Sequence, residues 1–334
     1  MSHGQIERID LANLPTPLER AERTGALVGA VSLWIKRDDL TGMGVSGNKV
    51  RKLEYTAAEA VGNGADTLIT CGGIQSNHCR ATAAVAARLG LSCRLVLNGK
   101  PPSVPEGNHF LDLLFGARCS FVSGVDLDGM RGAMEKAAEE CRREGKKPFI
   151  IPLGASDATG SLGYVQAVEE LAGQSEGLGL GIDRIVIPTG SGGTLAGITA
   201  GVVSLGLPWK ITAFSVAFPS TFFDTKTREL FDGLREKYIP ELGSPEGRFE
   251  VNDDYIGEGY GLTTPEQLGF IARVAAAGGL LLDPTYTGKA MWGLSGELKC
   301  GRIDPAENIV FIHTGGAFGL FAYREGFSEV LNNS

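Results

Sequence analysis

An α/β fold, built on a largely parallel, doubly wound sheet and divided between two domains, is what this sequence predicts. Three observations carry the prediction. Short apolar runs alternate with longer segments of helical spacing along most of the chain. Three of those runs end alike, in a turn rich in glycine and in hydroxyl or amide residues that opens a new segment. The length, 334 residues, exceeds what one small core organises.

The runs SLWIKR (32–37), TLITC (67–71), CRLVLN (93–98), FIIPL (149–153), RIVIP (184–188), KITAFSVA (210–217) and NIVFIHT (308–314) read as buried strands. Between them, Val50, Leu53, Ala57 and Val61 share one helical face, and Ala81, Ala84, Val85 and Leu89 another. Strand–helix alternation of this kind winds into a parallel sheet covered on both faces. The Pro- and Gly-rich stretches 99–107 and 241–248 read as surface loops. Residues 218–265 show no clear period, and the chain has no internal repeat or low-complexity tract.

Hydrophobic residues make up 43% of the chain and charged residues 21%, as in soluble globular proteins. The net charge of −8 argues against nucleic-acid and anionic-membrane partners, so an anionic ligand must be drawn in by local groups. The N-terminal stretch MSHGQIERIDLANLPTPLER has no apolar core flanked by basic residues, so no export signal is expected. No run reaches the roughly 18–20 apolar residues of a membrane span. Cys71, Cys79, Cys93, Cys119, Cys141 and Cys300 form no CxxC pair, so neither a zinc site nor a dithiol motif is expected. Five of them lie in apolar or helical stretches, as buried reduced thiols do, and a cytoplasmic location is expected.

In open α/β sheets, ligands sit beyond the carboxyl ends of the strands. TGSGGTLAG (189–197) offers free backbone N–H groups at a helix start, with Ser191 and Thr194 as added donors, which suits a phosphate. An ordinary glycine turn with a helix cap explains an isolated loop of this kind equally well. Leu195 stands where a third glycine would complete GxGxxG, and no GxxxxGK[ST] occurs, so neither a dinucleotide nor a nucleoside triphosphate is favoured. GGIQSNHCR (72–80) gathers Gln75, Ser76, Asn77 and His78 at one turn. A helix cap accounts for one of the four; the remainder suit a small anion such as a carboxylate. His78 alone reads as a packed histidine, and Tyr260 and Tyr286, each among turn residues, read as packing residues.

SGNKVRKLEY (46–55) places Lys49, Arg51 and Lys52 at a helix start, where cations oppose the backbone dipole. A bound anion, or a chemical task for one lysine, would compensate. A lysine held beside Arg51 and Lys52 in a pocket has a lowered pKa, and its neutral amine can form a Schiff base. A lysine, a phosphate cup and a small-anion loop on one scaffold point to pyridoxal phosphate.

The motifs LPTPLE, IKRDDLTGMGVSGNKVRKLEY, GGIQSNH, PTGSGGTLAG, GYGL, DPTYTGKAMWGL and FIHTGGAFGLFAY occur in this order. Together they resemble the D-cysteine desulfhydrase and 1-aminocyclopropane-1-carboxylate deaminase family, within the tryptophan-synthase-β-like, fold-type II enzymes of pyridoxal 5′-phosphate. The resemblance runs from about residue 14 to 324. It implies two domains of parallel twisted sheets wrapped by helices, with the cofactor in the cleft between them. The larger domain is expected over 1–52 plus 161–334, the smaller as an insertion over 53–160, and the assembly as a homodimer. It further implies that Lys49 carries the cofactor, flanked by Asn48 and Lys52. Asn77 contacts the pyridoxal 3′-oxygen, and Thr189, Gly190, Ser191, Gly192, Gly193 and Thr194 take the phosphate. Gln75, Ser76, Asn77 and His78 line the substrate, Tyr260 and Tyr286 flank it, and Thr287 and Thr314 lie by the ring.

Deaminases of the family carry glutamate immediately after the second tyrosine, facing the pyridine nitrogen; this chain has Thr287. A neutral hydroxyl lacks the carboxylate charge that favours a protonated ring nitrogen. Opening an unactivated cyclopropane needs that stronger electron sink, whereas β-elimination needs less. The expectation is therefore a lyase acting on a small β-substituted amino acid, D-cysteine first, L-cysteate next and the cyclopropane amino acid third. Lys49 and Ser76 are the candidates to take the α-proton. Outside this class stand a non-catalytic protein that binds the cofactor and, disfavoured by the missing GxGxxG, a nicotinamide oxidoreductase.

Overall fold

The computed structural model describes residues 6–42 and 44–332, so the first five residues of the stretch read for an export signal lie outside the described residues. Among the described residues ten strands form two sheets: β1 (Leu18–Arg20), β2 (Ser32–Lys36), β3 (Thr67–Gly73), β4 (Ser92–Asn98), β5 (Arg118–Val122), β6 (Pro148–Ile150), β7 (Arg184–Thr189), β8 (Lys210–Ser215), β9 (Phe249–Asn252) and β10 (Asn308–Ile312). The helices are α1 (Glu22–Val28), α2 (Asn48–Gly62), α3 (Asn77–Leu89), α4 (Gly107–Leu114), α5 (Leu127–Arg143), α6 (Ala158–Leu178), α7 (Gly193–Ser204), α8 (Ser220–Lys237), α9 (Pro265–Gly278), α10 (Thr287–Lys299) and α11 (Arg324–Asn332). The larger sheet has the order β1-β2-β10-β7-β8-β9 and the smaller β5-β4-β3-β6. All pairings are parallel except β1 with β2.

The apolar runs are continuous because both faces of each sheet are covered. On β10, Ile309 and Phe311 face a cluster with Phe270, Met291 and Leu294 of α9 and α10. Val310 and Ile312 face the opposite way, with Tyr164, Val168, Leu195 and Ile198 of α6 and α7. Each such side chain removed from water is worth about 1.5–3 kcal/mol. In the smaller sheet, Leu68, Leu95 and Leu97 pack with α2 and α3, while Ile69, Cys71 and Val96 pack with Met130, Met134 and Cys141 of α5.

Several expectations need correction. The run at 149–153 stops being a strand at Ile150. Pro152 has no N–H to offer a ladder, and a tight turn follows, with φ of 68° at Gly154. The strands expected over 210–217 and 308–314 end at Ser215 and Ile312, freeing their last residues for the loops beyond. Val61 is 45% exposed, because the helical face drifts and Ala60 takes the buried place. The strands β1, β5 and β9 were not anticipated. All three lie at a sheet edge, are short, and mix exposed with half-buried residues.

Strands β2, β10 and β7 are adjacent, so the loops leaving their carboxyl ends are neighbours. Helix α2 follows β2, packs Val50, Leu53, Ala57 and Ala60 toward the smaller sheet, and lies against α6 on its other side. Gly163 of α6 permits that contact, since a Cβ there would fall 2.3 Å from Arg51 O.

Candidate active site

The start of α2 has no side-chain cap and opens on Gly47 with φ of 93°. A Cβ on Gly47 would lie 2.8 Å from Thr314 O, the carbonyl that accepts the Asn48 N–H at 3.0 Å. The lysine-bearing helix is thereby seated on the loop that leaves β10. Arg51 and Lys52 then diverge. Arg51, two residues beyond Lys49, projects from the opposite side of the helix. Its guanidinium donates to Asp38 at 2.9 and 3.0 Å, to Glu170 at 2.9 and 3.0 Å, and to Thr16 Oγ1 at 3.0 Å. Lys36 joins the same cluster through Glu170 and Thr16 O. Burial opposes ionisation of Asp38, but Arg51 beside it holds its carboxyl below the ordinary carboxylate value. Arg51 is thus corrected from a neighbour of Lys49 to the anchor that compensates a badly charged helix start.

Lys52 lies on the Lys49 side. It is fully buried, and its Nζ donates to Gly154 O at 2.6 Å and to Ser156 Oγ at 3.0 Å. Burial, then the charge of Lys49, depresses its pKa well below the usual lysine value. Among the described residues no carboxylate lies within ion-pair distance of it. The same Nζ sits at the start of α7, 2.4 Å from where a Cβ on Gly193 would stand. Ser156 Oγ, a residue no motif announces, accepts from Gly193 N at 3.3 Å and donates to Ser191 Oγ at 2.8 Å. Gly192 holds φ of 83° to aim this turn, Asn48 Nδ2 donates to Thr194 Oγ1 at 3.0 Å, and Thr189 is buried at the end of β7. A buried cation with only neutral partners, before the free amides of a helix start, is a site that an anion completes. Lys49 Nζ is beside it: a Cβ on Gly154 would meet Ser191 Oγ at 2.4 Å and Lys49 Nζ at 3.4 Å. Burial lowers the Lys49 pKa to about 8.

The turn after β3 divides its polar residues between structure and site. Ser76 caps α3, its Oγ accepting the Cys79 N–H at 3.2 Å, and keeps its own proton to donate. Asn77 Oδ1 accepts from Asn108 Nδ2 at 2.9 Å, which leaves the amide end of Asn77 as a donor toward an anionic oxygen. Gln75 binds Asn108 N at 2.8 Å and Glu106 O at 3.1 Å, tying this turn to α4. His78 is buried with Nε2 2.8 Å from Thr70 Oγ1, and burial followed by the charges of Lys49 and Lys52 pushes its pKa well down. The structure thus gives Gln75 and His78 Nε2 partners within the fold, while His78 Nδ1 is buried with no partner among the described residues. Arg80, also not anticipated, donates to Gly44 O and Ser46 O, each at 2.8 Å, and so holds the loop ahead of Lys49.

Tyr260 and Tyr286 are brought together, hydroxyl to hydroxyl at 2.7 Å, with ring centroids 5.8 Å apart at 77°. The Tyr286 ring abuts Gly190, where a Cβ would be 3.0 Å from its Cε1; Tyr260 abuts Gly73 in the same manner at 3.3 Å. These contacts close a circuit from the α7 turn through both tyrosines to the turn after β3. Burial, and then Tyr260, pushes the Tyr286 phenol well above its usual pKa, so it remains a proton donor at neutral pH. Lys289 donates to Ile256 O at 2.7 Å and Gly259 O at 2.6 Å, fixing the Tyr260 loop. Asp283 accepts the N–H groups of Thr285, Tyr286 and Thr287 and caps the start of α10. Thr287 is fully buried and its hydroxyl donates to Asp283 Oδ1 at 2.8 Å.

Residues 9–315 match the family described as pyridoxal-phosphate dependent enzyme. The chain belongs to that family. Within it, the chain is 40% identical over 334 residues to the bifunctional D-cysteine desulfhydrase/1-aminocyclopropane-1-carboxylate deaminase of Arabidopsis thaliana, covering 97% of this chain and 81% of that one. It is 39% identical over 331 residues to the D-cysteine desulfhydrase of Yersinia enterocolitica, covering 96% and 97%. The crystal structure of an ACC deaminase homologue superposes with a TM-score of 0.90 at 38% identity, covering 98% of this chain and 97% of that one. The fold is thus that of the fold-type II enzymes, and pyridoxal 5′-phosphate is the cofactor. The residues present fit it: Lys52, Ser191 and the Gly192 amide offer a phosphate its donors, with a lysine amine alongside. Among the described residues, no helix is long and apolar enough to cross a membrane.

Proposed function

We propose that this pyridoxal-phosphate-dependent lyase eliminates the β-substituent of a small amino acid, converting D-cysteine and water into pyruvate, ammonia and sulfide. The observation that carries the reading is the phenol pair of Tyr260 and Tyr286, a proton donor set between the phosphate loop and the Ser76 turn. When bound, the cofactor supplies an electron sink for the substrate α-carbon. The side chains do the remainder. Lys49 would hold the cofactor through Nζ and serve as base for the α-proton; burial keeps enough of it neutral to do so. Ser76 Oγ would donate to the substrate carboxylate, and the Asn77 amide would hold the cofactor's 3′-oxygen. Tyr286 hands a proton to the departing sulfur while Tyr260 orients its hydroxyl. Thr287, a neutral hydroxyl committed to Asp283, favours elimination over cyclopropane ring opening.

The four strands of the smaller sheet lie between 67 and 150, which supports reading 53–160 as an inserted domain and 1–52 plus 161–334 as the larger one. The exposed apolar side chains Phe110, Leu113 and Leu114 of α4 support a homodimer, and six free cysteines support a reducing cytoplasm.

Holoenzyme assayed with D-cysteine, L-cysteate, D-serine and the cyclopropane amino acid tests the proposal. The expected outcome is equal release of sulfide and pyruvate from D-cysteine. Tyr286→Phe lowers kcat by about 10²–10⁴-fold while the absorbance of the lysine-bound cofactor is retained. Ring opening with no elimination from the other three substrates overturns it.

A further inference from the structure

We propose that His109, Asp112 and Cys119 form a binding site for one divalent transition-metal ion of the zinc class, which staples α4 to β5. His109 and Asp112 are three residues apart and so share one face of α4, and Cys119 is the second residue of β5. One ligand atom from each lies within 4.8 Å of the others, with His109 Nδ1 3.9 Å from an Asp112 carboxylate oxygen. Ligand atoms around a tetrahedral zinc ion stand about 3.3–3.8 Å apart, given bond lengths of about 2.0–2.3 Å, so a small inward shift completes the geometry.

A second observation points independently to a ligand. Asp112 is 0% exposed and His109 3%, yet neither carboxylate oxygen of Asp112, nor His109 Nδ1, has a hydrogen-bond partner among the described residues. Buried polar atoms are rarely left in this state, and a carboxylate least of all. Arg80 is near enough to attract Asp112, but its hydrogen bonds go to Gly44 O, Ser46 O and Asn108. A divalent cation supplies the missing partner for all three atoms at once, and a carboxylate with a thiolate balances its charge.

The ligand types select the ion. Imidazole nitrogen with thiolate sulfur suits zinc and its neighbours and disfavours calcium and magnesium, which prefer all-oxygen shells. Cys119 is only partly buried and marks the way in, and water takes the fourth position. No spacing motif announces the site, because its ligands are of three types and come from a helix face and a neighbouring strand. The consequence reaches the active site. Asn108, beside His109 on α4, holds Asn77 and Gln75, so an ion that fixes α4 also fixes the turn after β3.

The test uses holoenzyme exposed to Zn²⁺ alone and then desalted. One equivalent of zinc is expected in the wild-type chain, with Cys119 protected from alkylation. Co²⁺ in its place gives a thiolate-to-metal charge-transfer band. Asp112→Asn and Cys119→Ser each lose the ion while keeping the absorbance of the lysine-bound cofactor. The proposal is overturned if the wild type retains no zinc and Cys119 alkylates at the same rate with and without it. Equal zinc retention in both variants overturns it as well.

Discussion

Replacing Lys52 with methionine separates the phosphate cup from everything else the site does. The substitution keeps the unbranched apolar stem, one atom shorter, and removes a buried cation whose partners are Gly154 O and Ser156 Oγ. In the protein without cofactor two effects oppose. A cation that burial disfavours is gone, while Gly154 O loses its strongest donor and is left with Ser156 Oγ at 3.4 Å, whose single proton is directed to Ser191 Oγ at 2.8 Å. An unsatisfied buried carbonyl costs about 1–3 kcal/mol, which bounds the loss of stability. With the cofactor, a hydrogen bond from a charged donor to the phosphate is lost, worth about 1.5–3 kcal/mol. That corresponds to a Kd raised about 10- to 150-fold. The assay is a titration of cofactor-free protein, followed by the visible absorbance of the lysine adduct, with pyridoxal 5′-phosphate and with pyridoxal. Only the phosphorylated ligand should weaken by that factor. Equal weakening of both ligands, or of neither, refutes the placement of Lys52 at the phosphate.

Two further outcomes follow from the same geometry. In the proposed site the neutral amine of Lys49 is the nucleophile, and burial brings its pKa to about 8 from 10.5. The rate of cofactor attachment should therefore climb about tenfold per pH unit up to about pH 8 and then level off. A rate still climbing at pH 10 in stopped-flow measurements contradicts it. Gly163→Ala drives a Cβ to 2.3 Å from Arg51 O and forces α2 away from α6. It should cost about 1–3 kcal/mol in denaturant unfolding and weaken cofactor binding. Gly173→Ala, in open space on the same helix, should leave both unchanged or gain about 0.5–1 kcal/mol.

The buried strands were legible because strands covered on both faces must be apolar at every position, a signal independent of register. Edge strands carry no such demand, so β1, β5 and β9 left little trace. The candidate site was legible in its local geometry where residue type and turn chemistry coincide, as at the Gly192 turn and the Ser76 cap. It was illegible where a side chain acts across the fold. Ser156 lies in no motif and reaches the phosphate turn only because α6 starts beside α7. Arg80 and Lys289 look like ordinary helix cations until the loops they hold are seen.

Local order along the chain was enough to determine the α/β alternation, the turns after β3, β7 and β10, and a lysine whose place at a helix start needs compensation. Hydrophobic periodicity and glycine conformation are properties of neighbours in sequence. The tertiary structure alone decided which cation compensates and which waits for an anion. Arg51 turns to Asp38 and Glu170, while Lys52 turns to neutral oxygens at the head of α7. That choice depends on which elements stand against the two sides of one helix, and long-range packing, not sequence spacing, sets it.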